Sequence, residues 1–187
     1  MTTILKPLLS FAVIASLALQ AQADEVEETM EAALEAYRAG DIKAAKEEID
    51  FVSQLLGQLK AEGLKGFLPA AMDGWTREDN ETQNVGAFGG GQIASATYSN
   101  GSDRLEIQLM ADNQMVTAMG AMFGNATLMG AMGTVKRINR QKLVVTNDGE
   151  VQTLINNRIM VQITGSADVD SKLAYFEALD MDGLKNF

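Results

Sequence analysis

Methionine is the side chain in this sequence whose number and spacing come closest to forming a chemical site. Six of the eleven methionines lie within residues 110–132, and the pairs Met119/Met122 and Met129/Met132 are each three residues apart. Thioether sulfur is a soft ligand that selects Cu(I). The same spacing is typical of the buried face of a helix, where methionine fills irregular gaps. We therefore expect core packing, with a flexible surface for a partner or lipid, or a copper site, as the alternatives.

The candidate binding surface comes from the same segment. Met119, Met122 and Phe123 fall on one side of a helix, and Trp75 is the only tryptophan in the chain. Trp75 is suited to stack on a ligand, although anchoring the junction between two parts of the fold is its simpler role. The sequence shows no complete set of metal ligands and no cofactor motif, so we predict neither a metal nor a cofactor.

Two residue types that carry most enzyme chemistry are absent, since the chain has no histidine and no cysteine. Their absence excludes Ser-His-Asp triads, Cys-His nucleophiles, disulfides and ordinary zinc sites. No serine is followed three residues later by lysine, which removes the common Ser-Lys arrangement. A pair of carboxylates could still act as acid and base. We predict that the protein is not an enzyme, with a carboxylate-based hydrolase as one alternative.

The first 23 residues have the three-part layout of a secretory signal peptide. Lys6 precedes an apolar run, residues 8–19, that is too short for a bilayer span of about 20 residues. Small residues then lead to Ala23, and an acidic stretch begins at Asp24. The sequence predicts cleavage between Ala23 and Asp24, export to a bacterial periplasm, and no transmembrane segment in the mature chain.

The charge of the chain limits its partners, because the net charge is −10. An acidic protein repels nucleic-acid phosphate and anionic lipid at long range. We therefore expect no nucleic acid among its ligands. The predicted partner is another protein or a component of the cell envelope.

The N-terminal part of the mature chain is predicted to be a helical hairpin, residues 24–68. Apolar residues with helical spacing line one face of each helix, Gly40 provides the stop between them, and Asp41 can cap the second helix. Residues 36–45 resemble the turn region of a tetratricopeptide-type helix pair, a family whose members are protein-binding scaffolds. The rest of the chain shows no repeat of about 34 residues, so we expect one hairpin packed on the remaining domain.

The remaining residues, 69–187, read as a small domain of strands and helices. Residues 77–91 are polar and then glycine-rich, which predicts a loop. Alternating apolar residues and an Asn100-Gly101 turn predict a first strand pair, and a Met-rich helical insert follows. Strands are then predicted at residues 142–147, 151–155 and 158–165, followed by a helix over 168–179 that Asp168 caps. The fold class is α+β, with an antiparallel sheet of about five strands.

This order of elements resembles the architecture of PsbP/Mog1-like domains. With Leu68-Pro69 and Gly74-Trp75 between the hairpin and the sheet, the chain also resembles a type of uncharacterised exported bacterial protein. Both resemblances rest on pattern, and neither assigns a role to any residue.

The leading hypothesis is a non-catalytic exported protein that binds another protein or an envelope component through the hairpin. The first alternative is a carrier that holds a small apolar or lipid-like ligand between the Met-rich segment and the sheet. A continuous apolar patch on the hairpin would favour the first hypothesis. A closed cavity lined by Met119, Met122 and Phe123 would favour the carrier, and two acids facing each other in a cleft would favour the hydrolase.

Overall fold

The computed structural model describes the backbone of residues 11–81, 83–84 and 91–187, and the side chains of residues 24–81 and 91–187. The chain divides into two compact units, the first ending at Leu59 and the second comprising Lys60–Phe187. In the part of the chain that the structure describes, no helix is long and apolar enough to cross a membrane.

The first unit is the predicted helical hairpin, formed by α1 (Phe11–Arg38) and α2 (Ile42–Lys65). Gly40 has a φ of 83°, a left-handed conformation that favours glycine and ends α1. The Asp41 carboxylate accepts a hydrogen bond of 2.9 Å from the Ala44 amide, so it caps α2 as predicted. Val26 packs against Val52 and Leu55, and the helices therefore run antiparallel.

The boundary between the units lies within α2, because Lys60–Lys65 belong to the second unit. The predicted cleavage site lies within α1, whose backbone is helical through Ala23 and Asp24. The Ala23 side chain is outside the described residues, and that of Asp24 is exposed.

The second unit is built on an antiparallel sheet in which, among the described residues, seven strands follow one path. Their order is β1-β3-β4-β8-β7-β6-β5, and the short β2 pairs beside β3. The bounds are β1 (Thr76–Asp79), β2 (Gln83–Asn84), β3 (Gln92–Asn100), β4 (Asp103–Ala111), β5 (Gly133–Ile138), β6 (Gln141–Thr146), β7 (Val151–Ile155) and β8 (Ile159–Thr164).

The predicted α+β class and antiparallel sheet are confirmed, but the prediction of about five strands is wrong. β1 and β5 lie at the two ends of the sheet order and expose most of their residues, so neither shows the alternation that indicates a half-buried strand. The short β2, and all of β1 except Thr76, fall within residues 77–91, where a loop was predicted, so that prediction is wrong there. Within the rest of that predicted loop, residues 82 and 85–90 are outside the described residues.

Among its described residues, the second unit has four further helices: α3 (Gln114–Phe123), α4 (Ala126–Met132), α5 (Val169–Glu177) and α6 (Met181–Asn186). The Met-rich insert thus forms two helices, because Gly124 ends α3 and the Asn125 side chain caps α4. Asp168 caps α5 as predicted. The last helix, α6, was not predicted; it has six residues and is capped by Asp180.

The two faces of the sheet have different environments, because successive residues of a strand point to opposite sides. One face carries the main core, where Leu109 and Val161 lie with residues of α5, α6 and the segment around Leu64. On the other face, Met110 and Met160 pack beneath α3 with Leu154. The second face is the one that presents methionine.

Candidate functional site

Two surfaces of the molecule are candidates for function, one in each unit. The first is a groove of about 620 Å³ between the exposed faces of α1 and α2, called here the hairpin groove. Its large apolar members are 45–64% exposed, although they belong to the helical faces that the pattern assigned to packing. The hairpin groove is lined by Met30, Ala33, Leu34, Tyr37, Ile42, Ala45, Lys46, Ile49 and Val52.

The two helices bring different charges to the hairpin groove. On α2, Lys46 pairs with Asp50 at 2.5 Å and Lys43 with Glu47 at 3.7 Å. On α1, the acidic side chains Glu27, Glu28, Glu31 and Glu35 form no ion pair within the described part of the chain. In an α-helix, residues 27 and 31 lie next to residues 30 and 34. The α1 side of the hairpin groove is therefore apolar with an unneutralised acidic border.

The second candidate is a pocket of about 160 Å³ between α3 and the sheet, called here the thioether pocket. Four methionines line it, two from adjacent strands and two from α3. Met110 and Met160 are direct partners across β4 and β8, and Met115 and Met119 are four residues apart on α3. The thioether pocket is lined by Gln108, Met110, Met115, Val116, Met119, Gln152, Met160 and Gln162.

A row of three glutamines forms the polar side of the thioether pocket. Gln162 is the cross-strand partner of both Gln108 and Gln152. The amide groups of Gln152 and Gln162 donate hydrogen bonds of 3.0 and 3.2 Å to the same Glu150 carboxylate oxygen. This carboxylate therefore fixes the orientation of two amide groups at the pocket.

The predicted binding residues are only partly brought together. Met119 lines the thioether pocket, and Phe123 packs in the same apolar cluster. Met122 is a large exposed side chain that is not among the residues lining the pocket. Trp75 packs instead on the main core, where its ring meets that of Tyr175 edge-on at a centroid distance of 5.4 Å.

Sequence analysis did not identify Met160 as a site residue, because it lies outside the Met-rich segment. Only the pairing of β8 with β4 places it beside Met110. The alternation of residues 159–164 predicts a strand, but it does not say which strand is its neighbour.

The carboxyl groups with a clear change in pKa are stabilised as anions. The hydrogen bond from Arg158, with a further contribution from Lys60, lowers the pKa of Asp112 from 3.8 to about 2. Arg158 Nε lies 2.9 Å from one Asp112 oxygen, and Lys60 Nζ lies 2.6 Å from the other. Hydrogen bonds from Ser171 lower the pKa of Asp168. A general acid needs the opposite shift.

Two buried tyrosines have raised pKa values, and both have structural roles. Burial raises the pKa of Tyr98 to about 12, and its hydroxyl donates a hydrogen bond of 2.7 Å to the Pro69 carbonyl oxygen. Burial likewise raises the pKa of Tyr175, whose hydroxyl accepts a hydrogen bond from the Met72 amide.

Among the described residues, no group of three or more histidine, cysteine, aspartate or glutamate side chains could hold a metal ion. Comparison of the chain with protein-family models, with curated proteins and with solved structures finds no match.

Proposed function

We propose that this protein is an exported, non-catalytic interaction protein whose hairpin groove binds an amphipathic helix with basic flanks, carried by a protein of the cell envelope. The observation that supports this most directly is the exposed apolar lining of the hairpin groove. Exposed apolar side chains are ordinary when scattered, whereas a contiguous set indicates an interaction site.

The shape of the hairpin groove favours a helix as the ligand. Two antiparallel helices form its walls, and its lining repeats at helical spacing along both. A third helix can place its own apolar side chains between these walls, as in other helix-in-groove complexes. Burying one leucine side chain of such a ligand contributes about 1.5–3 kcal/mol, so a few apolar anchors suffice for binding.

The negative charge of the hairpin favours a partner with positive charge. Residues 24–59 contain ten acidic and three basic side chains. A second copy of the chain would bring the same excess of negative charge to the hairpin groove, which disfavours self-association. A partner helix with lysine or arginine beside its apolar face would instead meet the unpaired glutamates of α1. This complementarity supports a basic partner over a second copy.

The experiment uses the protein beginning at Asp24 and a labelled amphipathic peptide of about 18 residues, or five helical turns. The peptide carries leucine on one face and lysine beside it, and a matched peptide replaces each lysine with glutamate. Fluorescence anisotropy should show that the lysine peptide binds at least about tenfold more tightly, a difference of about 1.4 kcal/mol. The difference should shrink at high salt.

Variants test whether the peptide occupies the hairpin groove. Leu34→Ala and Tyr37→Ala should each weaken binding by about tenfold, because each removes exposed apolar surface from the lining. Phe51→Ala is the matched control, since Phe51 is a large exposed apolar side chain that does not line the groove. Equal affinity for the two peptides would overturn the proposal. So would a protein dimer in analytical ultracentrifugation that Leu34→Ala dissociates.

The carrier and hydrolase alternatives have less support. The thioether pocket includes Met119 but is not lined by Met122 or Phe123, and its volume of about 160 Å³ is below the about 300–1,000 Å³ of ordinary ligand pockets. The anionic Asp112 is held by two cations, which is the arrangement of a structural ion pair.

A further inference from the structure

We propose that the thioether pocket is a binding site for a soft monovalent cation, Cu(I) or its analogue Ag(I), with sulfur atoms of Met110, Met115, Met119 and Met160 as the ligands. This site lies in the second unit, and it does not depend on the function proposed for the hairpin groove.

The strands bring the first two thioethers together. Met110 and Met160 are direct cross-strand partners, and such residues have Cβ atoms about 4.5–5.5 Å apart on the same face of the sheet. A methionine side chain is flexible, with three rotatable bonds beyond Cα. Both sulfur atoms can therefore reach one ion placed above the strands.

Helix α3 provides the other two thioethers from above the sheet. Met115 and Met119 are four residues apart, so they lie on one side of the helix about 6 Å from each other. Val116 and Met119 pack in one apolar cluster with Met110 and Met160, which holds this side of α3 against the strands. All four methionines line the same pocket.

The distribution of methionine in the second unit indicates more than ordinary packing. Among the described residues, the main core contains two methionines, buried Met181 and partly buried Met72, and is otherwise built of aliphatic residues, alanine and aromatic rings. The thioether pocket has four methionines and only one aliphatic side chain, Val116. The thioether pocket, which is partly open to solvent, leaves about 160 Å³ between its sulfur-bearing walls, which is space enough for an ion.

The chemistry of the pocket selects a soft cation of low charge. Thioethers prefer Cu(I), whereas Mg²⁺ and Ca²⁺ prefer oxygen. Glu150, which orients two of the lining glutamines, places a carboxylate next to the pocket. Its negative charge favours a cation over a neutral ligand. Met115 is 66% exposed, so an ion can reach the sulfur atoms from solvent.

The first test is a titration of the protein beginning at Asp24 with Ag(I), and with Cu(I) under anaerobic conditions against a chromophoric chelator. We expect one ion per chain. Methyl resonances of Met110, Met115, Met119 and Met160 should shift in NMR spectra of protein labelled at the methionine methyl carbon. The methyl resonances of Met72 and Met181, which belong to the main core, should not shift when the ion is added.

Methionine-to-leucine variants distinguish loss of a sulfur ligand from loss of packing. Leucine has nearly the same volume as methionine, so it keeps the packing but removes the sulfur atom. Met119→Leu and Met160→Leu should each weaken Ag(I) binding by about tenfold or more, since even loss of an outer partner of a metal ligand costs about 10–100-fold. Met122→Leu is the control on the same helix and should bind normally. If the buried Met160→Leu variant fails to fold, the exposed Met115→Leu variant replaces it.

The affinity should also be nearly independent of pH from about pH 5 to about pH 8. A thioether binds no proton in this range, whereas sites built on cysteine, histidine or carboxylate compete with protons. Absence of a stoichiometric ion, equal weakening by Met122→Leu, or methyl shifts confined to other methionines would each overturn the proposal.

Discussion

The two units contain similar apolar patterns but cover them to different extents. In the hairpin, Leu34, Tyr37, Ile42 and Ile49 belong to regular amphipathic faces, yet about half or more of each side chain is exposed. In the second unit, Leu105, Ile107 and Leu109 alternate along β4 and are fully buried. Periodicity therefore predicts which face of an element is apolar. It does not predict whether the same chain provides the surface that covers this face.

The largest effect is expected from a matched pair of leucine substitutions. Leu109→Ala should lower the free energy of unfolding by about 2–5 kcal/mol, because it leaves a cavity in the main core. Leu34→Ala should change it by less than about 0.5 kcal/mol, since the side chain is already 47% exposed. Urea unfolding of both variants measures the difference. If both variants lost the same free energy of unfolding, the apolar face around Leu34 would have to be covered within the folded chain.

A matched pair of glycine substitutions should give a smaller difference. Gly165 has a φ of 107°, and a Cβ there would lie 2.3 Å from the Arg104 carbonyl oxygen, so Gly165→Ala should cost about 3 kcal/mol. Gly40 has a φ of 83° with no atom within 4 Å of an added Cβ. Gly40→Ala should cost about 1 kcal/mol from backbone strain alone. Thermal unfolding followed by circular dichroism measures the stability of both variants. Gly165→Ala should be the less stable of the two, and the opposite result would contradict this prediction.

The smallest effect concerns charge and depends on pH. Because the folded pKa of Asp112 is about 2, below its usual 3.8, its ion pairs add stability above that usual value and lose it as the pH falls toward 2. Asp112→Asn should therefore cost about 1 kcal/mol near neutral pH, and the urea midpoints of variant and wild type should converge by about pH 2.

The hairpin provides the control for this prediction. Asp50 forms a single exposed ion pair with Lys46, so Asp50→Asn should cost only about 0.3 kcal/mol at neutral pH. A loss of stability as large as that of Asp112→Asn would contradict the expected difference between a three-residue ion cluster and an isolated pair.

Local patterns predicted the strands that contain buried residues, both β4, whose buried and more exposed residues alternate, and β3 and β7, in which most residues are buried. The alternation of residues 104–109 and the Asn100-Gly101 turn correctly predicted β4 and its hairpin with β3. The predicted pairing of β6 with β7 is also confirmed. Four elements could not be predicted in this way. β1 and β5 are exposed end strands, and β2 and α6 are too short to show a period.

The candidate sites were less accessible to sequence analysis than the fold. The sequence placed Met110, Met115 and Met119 in one segment, but Met160 joins them only through a pairing between strands distant in the chain. For the hairpin groove, the exposure of the residues was what the sequence could not predict. The sequence correctly showed that its residues form apolar faces of the two helices. These faces are exposed because no other element covers them among the described residues. A local sequence pattern cannot predict whether a distant element will cover such a face.

The ends of the sheet have a consequence for the behaviour of the protein at high concentration. An end strand offers free backbone groups to a strand of another molecule, and uncontrolled addition of this kind leads to fibrils. Here one end strand carries Lys136 and Arg137, and the other carries Arg77, Glu78 and Asp79. These charged side chains oppose strand addition, so the two end strands of the sheet that the described residues form are protected against growth into fibrils.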